Sequence, residues 1–120
     1  MVDVSYAPAD PALASLDGDG LLRVLTALAH PHRLRIVEAI AGGRNYVSQL
    51  ARDLQIGRPL LHMHLQRLEA AGLVRSSMEI SEDGKAMRYV ATTPFALHLT
   101  PEVVATAVRA GLTTGTNTDS

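Results

Sequence analysis

The chain has 120 residues, of which 47% are hydrophobic and 19% are charged, and its formal net charge is −1. This length is typical of one domain that can bury a core of its own. The absence of cysteine excludes disulfides, thiolate catalysis, zinc fingers and thiol redox switches. Because the sequence shows neither a signal peptide nor an apolar run of about 20 residues, we expect a soluble, cytoplasmic protein without a membrane partner.

The charged residues are distributed unevenly along the chain. Residues 1–20 contain four aspartates and no basic residue, whereas residues 21–75 contain eight arginines against three acidic residues. Arginine binds phosphate or guanine through two parallel hydrogen bonds, so the basic centre is compatible with a nucleic-acid partner. Solvated helix faces account for such a run equally well, and charge alone does not decide between the two interpretations.

Hydrophobic periodicity predicts two helices in the first third of the chain. Residues 1–15 lack a helical period and are predicted to form a flexible leader. An amphipathic helix is expected from about Asp17. A second helix begins near His30 and Pro31, because proline is favoured in a first helical turn, and the glycine pair at 42–43 ends it.

The middle of the chain predicts two short helices joined by a tight turn. The first covers about Val47–Leu54, residues 55–57 form the turn, and the second opens with Arg58 and Pro59. Leucines at helical spacing give this second helix one buried stripe, formed by Leu61, Leu65 and Leu68.

The last third of the chain predicts a hairpin and one more helix. Residues 73–80 and 85–90 have the alternation of apolar and polar residues that is typical of strands. An Asp-Gly pair, a common hairpin turn, lies between them. Residues 95–99 also alternate, which predicts a short third strand or an extended arm. Thr100 precedes a proline at a typical helix start, and residues 111–120 are predicted to form a flexible tail.

These elements describe a mainly helical α+β domain, residues 16–110, that contains a winged helix-turn-helix. In that fold the second helix of the pair, the recognition helix, enters the DNA major groove, and the hairpin, the wing, offers cations to phosphate. Arg58 or Arg67 is the expected reader of guanine, and packing is the other role open to His64. The candidate DNA-contacting residues are Ser48, Gln49, Arg58, Pro59, His62, Met63, His64, Gln66, Arg67, Lys85 and Arg88.

The wing of this sequence is rich in acidic residues. Glu79, Glu82 and Asp83 lie near its tip and repel phosphate. We therefore expect the wing to contribute less to DNA binding than the recognition helix. Ser48 and Gln49, at the start of the preceding helix, are expected to anchor phosphate through backbone amides and side chains.

Four segments resemble, in order, the ArsR/SmtB family of winged-helix transcriptional regulators. They are LAHPHRLRI at 28–36, QLARDL at 49–54, LHMHLQRL at 61–68 and EAAGLVR at 69–75. The resemblance covers about residues 20–92 and implies a homodimer that binds a specific operator and pairs through its first and last helices. The same apolar positions could instead complete the core of one chain. The implied dimer residues are Leu21, Leu25, Val103, Val104, Ala107 and Val108.

Many members of this family sense metals, but the two familiar sites are absent from this sequence. The segment that matches the two-cysteine site holds Ser48 and no cysteine, and the last helix contains no histidine. The weaker candidates for nickel, cobalt or zinc are His30, His32, His98 and Glu102. For His30, capping of the second helix is the competing role.

An enzyme is not expected, since the sequence lacks a glycine-rich phosphate loop, paired carboxylates in a pocket-forming pattern and a serine with suitable histidine and aspartate partners. A competing function is that of a winged-helix interaction module, an accessory subunit of a second regulatory protein. The acidic leader and wing favour this alternative, whereas the arginine-rich centre opposes it.

Overall fold

The computed structural model describes residues 16–113. Within this range five helices and three strands follow one another along the chain. In order they are α1 (Gly18–Leu28), α2 (Pro31–Ile40), β1 (Asn45–Tyr46), α3 (Val47–Leu54), α4 (Arg58–Ala70), β2 (Val74–Ile80), β3 (Ala86–Thr92) and α5 (Pro101–Ala110). The mainly helical α+β fold with a hairpin wing is therefore confirmed. The predicted leader lies outside the described residues, as do residues 114–120 of the predicted tail.

Side-chain caps define the starts of three helices. Asp17, His30 and Thr100 precede α1, α2 and α5, and each accepts a hydrogen bond from a backbone amide two or three residues later, at 2.8, 3.1 and 3.0 Å. Such caps satisfy amides that have no partner within the helix. The capping role of His30 is thus confirmed. Gln55 ends α3 in the left-handed region, with φ 57°, so that α4 can leave in a new direction.

The three strands form one antiparallel sheet in the order β1-β3-β2. In the hairpin, Ile80 pairs with Ala86 near the turn, and the short strand β1 adds to the free edge of β3. The predicted third strand at residues 95–99 does not form. Phe95 and Leu97 pack against the core in an extended segment, which corresponds to the arm that the alternation also allowed.

The core lies where α2, α3 and α4 meet the sheet. Leu61, Leu65 and Leu68 of α4 are each fully buried, as the stripe predicts. Burial of one such leucine side chain stabilises the fold by roughly 1.5–3 kcal/mol, so the stripe fixes which face of α4 points outward. No helix among residues 16–113 is long and apolar enough to cross a membrane.

The two ends of the described chain meet. Helices α1 and α5 pack against each other. The backbone amide and the hydroxyl of Thr113 both donate hydrogen bonds to the carboxylate of Asp19, each at 3.0 Å. The amide of Asp19 in turn donates to the carbonyl oxygen of Gly111 at 3.2 Å. The residues that follow α5 therefore hold the start of α1.

Candidate nucleic-acid interface

Helix α4 presents a polar, basic face to solvent. Because its leucine stripe faces the core, Arg58, Met63, Gln66 and Arg67 are all exposed, and Pro59 is exposed in the first turn. These are residues that the sequence predicts at the DNA, and the structure places them on one accessible side of the helix. This side can enter a groove without any unfolding of the core.

His64 does not belong to this exposed face. Its side chain is only 1% exposed, so packing, and not DNA contact, is the role that the structure assigns to it. Burial lowers the pKa of His64, and the nearby His30, Arg33 and His32 lower it further. His64 therefore stays a neutral imidazole inside the domain at neutral pH.

A cleft of about 390 Å³ separates the start of α4 from the wing. It brings together five predicted DNA-contacting residues, Ser48, Arg58, His62, Lys85 and Arg88. Sequence reasoning missed the apolar and aromatic part of the lining. That part consists of Tyr46, Val47, Met78, Ala86 and Met87.

Two helix starts border the same cleft. Neither α3 nor α4 has a side-chain cap at its amino end, so the amides of their first turns, apart from Pro59, which has none, lack a side-chain partner, and uncapped helix starts of this kind can bind anions. Ser48 is half-buried in the first turn of α3. The side chain of Gln49 is held by its own helix, because its amide nitrogen donates to Asp53 and its amide oxygen accepts from Arg52, each at 2.7 Å.

The two basic residues of the wing differ in exposure and in hydrogen bonding. Lys85 is exposed at the hairpin turn. Arg88, by contrast, is half-buried, and its Nη2 donates to Glu69 Oε2 at 3.2 Å and to Ser76 Oγ at 3.1 Å. Its Nη1 lies 3.5 Å from Nδ1 of His62. Arg88 therefore connects the wing to α4, a contact that the sequence did not predict.

Two of the three acidic wing residues are engaged inside the chain. Glu79 forms an ion pair with Arg44, whose pKa this hydrogen bond raises, and the Arg44 guanidinium lies 4.1 Å from the centre of the Tyr89 ring. Asp83 accepts a hydrogen bond from the hydroxyl of Ser81, which lowers the pKa of Asp83. Glu79 and Asp83 thus have partners within the chain, whereas Glu82 is exposed at the wing tip.

The predicted metal ligands do not form a metal centre. Among residues 16–113 no group of three or more histidines, aspartates or glutamates could hold a metal ion. Nδ1 of His30 already accepts the capping hydrogen bond from His32, while His98 and Glu102 are exposed near the start of α5. Within residues 16–113 of one chain the predicted ligands therefore do not come together as a site for nickel, cobalt or zinc.

The outer faces of α1 and α5 are apolar. Of the predicted dimer residues, Leu25, Val103, Val104 and Val108 are exposed, and Leu22 and Leu112, which the sequence analysis did not select, join them. Leu21 and Ala107 are buried within the chain, because α1 and α5 pack against each other. Leu21 and Ala107 thus complete the chain's own interior, whereas the exposed residues form an apolar surface that no other residue of the range 16–113 covers.

Comparison with known proteins agrees with this geometry. The profile described as "Bacterial regulatory protein, arsR family" matches residues 30–76. An HTH-type transcriptional regulator of Methanocaldococcus jannaschii is 30% identical over 78 residues, which cover 65% of this chain and 81% of the relative. The chain belongs to the ArsR family. As a family member it is a transcriptional regulator and not an enzyme.

Two further relatives of the ArsR protein come from mycobacteria. The HTH-type transcriptional repressor SmtB of Mycobacterium tuberculosis is 40% identical over 76 residues, which cover 61% of this chain and 55% of the repressor. The solution structure of a homodimeric winged helix-turn-helix DNA-binding domain from Mycobacterium bovis, a possible ArsR-family regulator, has a TM-score of 0.55 and 28% identity. That match covers 62% of this chain and 64% of the other. The fold is thus a winged helix-turn-helix.

Proposed function

We propose that this ArsR-family protein is a homodimer that binds a specific operator in double-stranded DNA with α4 in the major groove. The observation that carries the proposal is the orientation of α4. Three buried leucines hold one side of the helix in the core, and its arginines and glutamine face solvent beside the wing cleft. As a regulator that acts on DNA, the protein works in the cytoplasm.

The residues around the cleft form two groups, one suited to contact bases and one suited to contact phosphates. Arg58 and Arg67 are exposed on α4, and their planar guanidinium groups suit the two acceptors of guanine in the major groove. The uncapped first turns of α3 and α4 bind backbone phosphate in this proposal, with Ser48 in the first turn of α3. Lys85 adds one phosphate contact from the wing.

The apolar surface of α1 and α5 supports pairing with a second copy of the chain. Six large apolar side chains are exposed there, and burial against a twin surface removes them from water. The Mycobacterium bovis relative is described as homodimeric. The SmtB relative from Mycobacterium tuberculosis is named as a repressor, and we infer the same direction of regulation here. The comparisons do not favour an accessory subunit of a second regulatory protein.

Fluorescence anisotropy of a labelled duplex from the region upstream of the protein's own gene tests this function. We expect selective binding over a scrambled duplex, with an affinity that falls about 1,000-fold or more between 50 and 200 mM salt if six or more phosphates are contacted. Arg67→Ala should weaken binding, whereas Glu82→Gln, on the exposed wing tip, should not. An absence of selective binding at either salt concentration would contradict the proposal.

The same titration addresses metal responsiveness. Since the described residues provide no set of three ligands, nickel, cobalt and zinc are expected to leave the affinity unchanged relative to a chelator. A shift of the binding curve with one of these ions would contradict this expectation. His98→Ala and Glu102→Ala would then show whether α5 supplies the ligands across the dimer.

A further inference from the structure

Arg33 lies in the first turn of α2 and contacts the helices on both sides. Its Nε donates a hydrogen bond to Nδ1 of His64, on the inner side of α4, at 3.0 Å. Its Nη1 lies 3.4 Å from the carbonyl oxygen of Ala27 and 3.5 Å from that of Thr26, at the carboxyl end of α1. One guanidinium group therefore links α1, α2 and α4.

Both ends of this link are suited to a cation. Carbonyls in the last turn of a helix carry the negative end of the helix dipole, and of the two at the end of α1 the Thr26 oxygen also accepts from the Ala29 amide at 3.2 Å. At the other end, the His64 ring is 1% exposed, so that salt screens its contact with Arg33 little. Nδ1 accepts a hydrogen bond only when the proton of the neutral ring is on Nε2, so Arg33 selects that tautomer.

The surroundings of His64 leave Arg33 to orient the ring. The rings of His30 and His32 lie against it, with centroids at 4.5 and 5.4 Å, and fill the space next to α4. Nε2 of His64 has no hydrogen-bond partner among the described residues. Among residues 16–113 the hydrogen bond from Arg33 is therefore the one polar contact that orients the ring.

We propose that Arg33 is a positioning residue for DNA binding, which fixes the angle of α4 relative to α1 without touching DNA. The inference rests on the proposed function. In the proposed dimer α1 belongs to the pairing surface, so its angle to α4 determines the distance between the two recognition helices. That distance must match the spacing of two operator half-sites. Arg33 thus determines which half-site spacing the dimer accepts.

A matched pair of variants separates this role from the loss of charge. Arg33→Met and Arg35→Met each remove one cation from α2, and Arg35 is exposed. After footprinting has located the half-sites, anisotropy compares the native duplex with one carrying two additional base pairs between them. Relative to Arg35→Met, we expect Arg33→Met to weaken binding to the native duplex about tenfold, because only about a tenth of the free variant would still hold α4 at the binding angle, and to discriminate less between the two spacings. Equal affinities and equal discrimination would overturn the proposal.

Arg33→Lys keeps the cation but has one donor nitrogen in place of the two that reach His64 and α1, and it is expected to recover part of the affinity and of the spacing preference. Nitrogen-15 NMR of the wild-type protein tests the link without any variant, because Nδ1 of His64 must be unprotonated and Nε2 protonated. A proton on Nδ1 in the wild type would overturn the proposal even if Arg33→Met failed to fold. If the wild type binds no duplex, both the proposed function and the role of Arg33 in half-site spacing are wrong. The NMR measurement of the His64 tautomer still shows in that case whether the hydrogen bond from Arg33 forms.

Discussion

Nη2 of Arg88 lies 3.2 Å from Oε2 of Glu69, so a cation of the wing is paired with a carboxylate near the end of α4. The side chains are 35% and 30% exposed, and Ser76 shares hydrogen bonds with both. The sequence predicts Arg88 as a phosphate contact, and the fold also uses its guanidinium group within the chain. The wing and the recognition helix are therefore held together before any DNA is present.

The first prediction concerns this ion pair. In a double-mutant cycle, Arg88→Met and Glu69→Gln should show a coupling free energy of about 0.2–1 kcal/mol, the range for pairs that water still reaches. Urea unfolding of the four proteins measures it. The control pair Arg75→Met and Glu69→Gln should show no coupling, since Arg75 is exposed on β2. A similar coupling free energy in both cycles would mean that the ion pair between Arg88 and Glu69 makes no contribution of its own to the free energy of unfolding.

The second prediction compares the wing with the recognition helix. Lys85→Ala should weaken DNA binding uniformly across sequences and reduce the slope of log affinity against log salt by about 0.9. Arg58→Ala should in addition relax the preference at one base pair, by about 1–3 kcal/mol. Binding titrations on single-base variants of the operator measure both effects. The double variant Lys85→Ala, Arg88→Ala should lose less DNA affinity than Arg58→Ala. A greater loss in the double variant would refute the prediction that the recognition helix contributes more than the wing.

The third prediction is a dependence of stability on pH. Burial lowers the pKa of His64 below its ordinary value of 6.5, and His30 and Arg33 lower it further. The unfolded chain therefore binds the proton more readily than the folded one. The free energy of unfolding should be at its full value above pH 6.5 and fall as the pH decreases below it, by at most about 1.4 kcal/mol per pH unit.

Urea unfolding at several pH values between 5 and 8 measures this contribution. His64→Asn, which keeps an acceptor for Arg33 but does not titrate, should flatten the dependence in this range. His98→Asn removes an exposed histidine and should leave the dependence as it is in the wild type. If His98→Asn flattened it instead, His64 would not be the group responsible.

The fourth prediction concerns the close approach of α1 and the segment after α5. A Cβ at Gly18 would lie 2.9 Å from the carbonyl oxygen of Gly111 and 2.9 Å from Cβ of Leu112. Gly18→Ala should therefore lower the free energy of unfolding by about 1–3 kcal/mol, because backbone atoms must move. Gly42→Ala is the control, since nothing lies within 4 Å of a Cβ there, and it should be neutral or slightly stabilising. Equal effects would show that the Gly18 contact is not tight.

The fifth prediction concerns dimerisation. Val104→Glu places a charge on the apolar surface of α1 and α5 and should convert the dimer to a monomer, because the charge would have to be buried. Sedimentation velocity measures the change. Ile80→Glu introduces the same charge at a wing residue that is 71% exposed, and it should leave the dimer intact. A monomeric wild type would refute the proposed pairing.

Local signals were sufficient to predict the helices, the hairpin and the exposed face of α4. The leucine spacing also held an unused signal: His64 lies three residues after Leu61 and four before Leu68, on the same side of the helix. Its burial was therefore predictable. The two-residue strand β1 was not, because two residues show no alternation, and with it Tyr46 was missed as a lining residue of the cleft.

The sequence by itself determined which segments become helices and strands, which face of each is apolar, and the likeness to a regulator family, because those properties depend on neighbours a few positions apart. Only the tertiary structure decided the use of particular charged and polar residues. Arg33 with His64, and Arg88 with Glu69, are 31 and 19 positions apart in the chain. These contacts depend on how whole helices and strands pack, so no local sequence pattern encodes them. The same contacts decide which arginines remain available to a ligand.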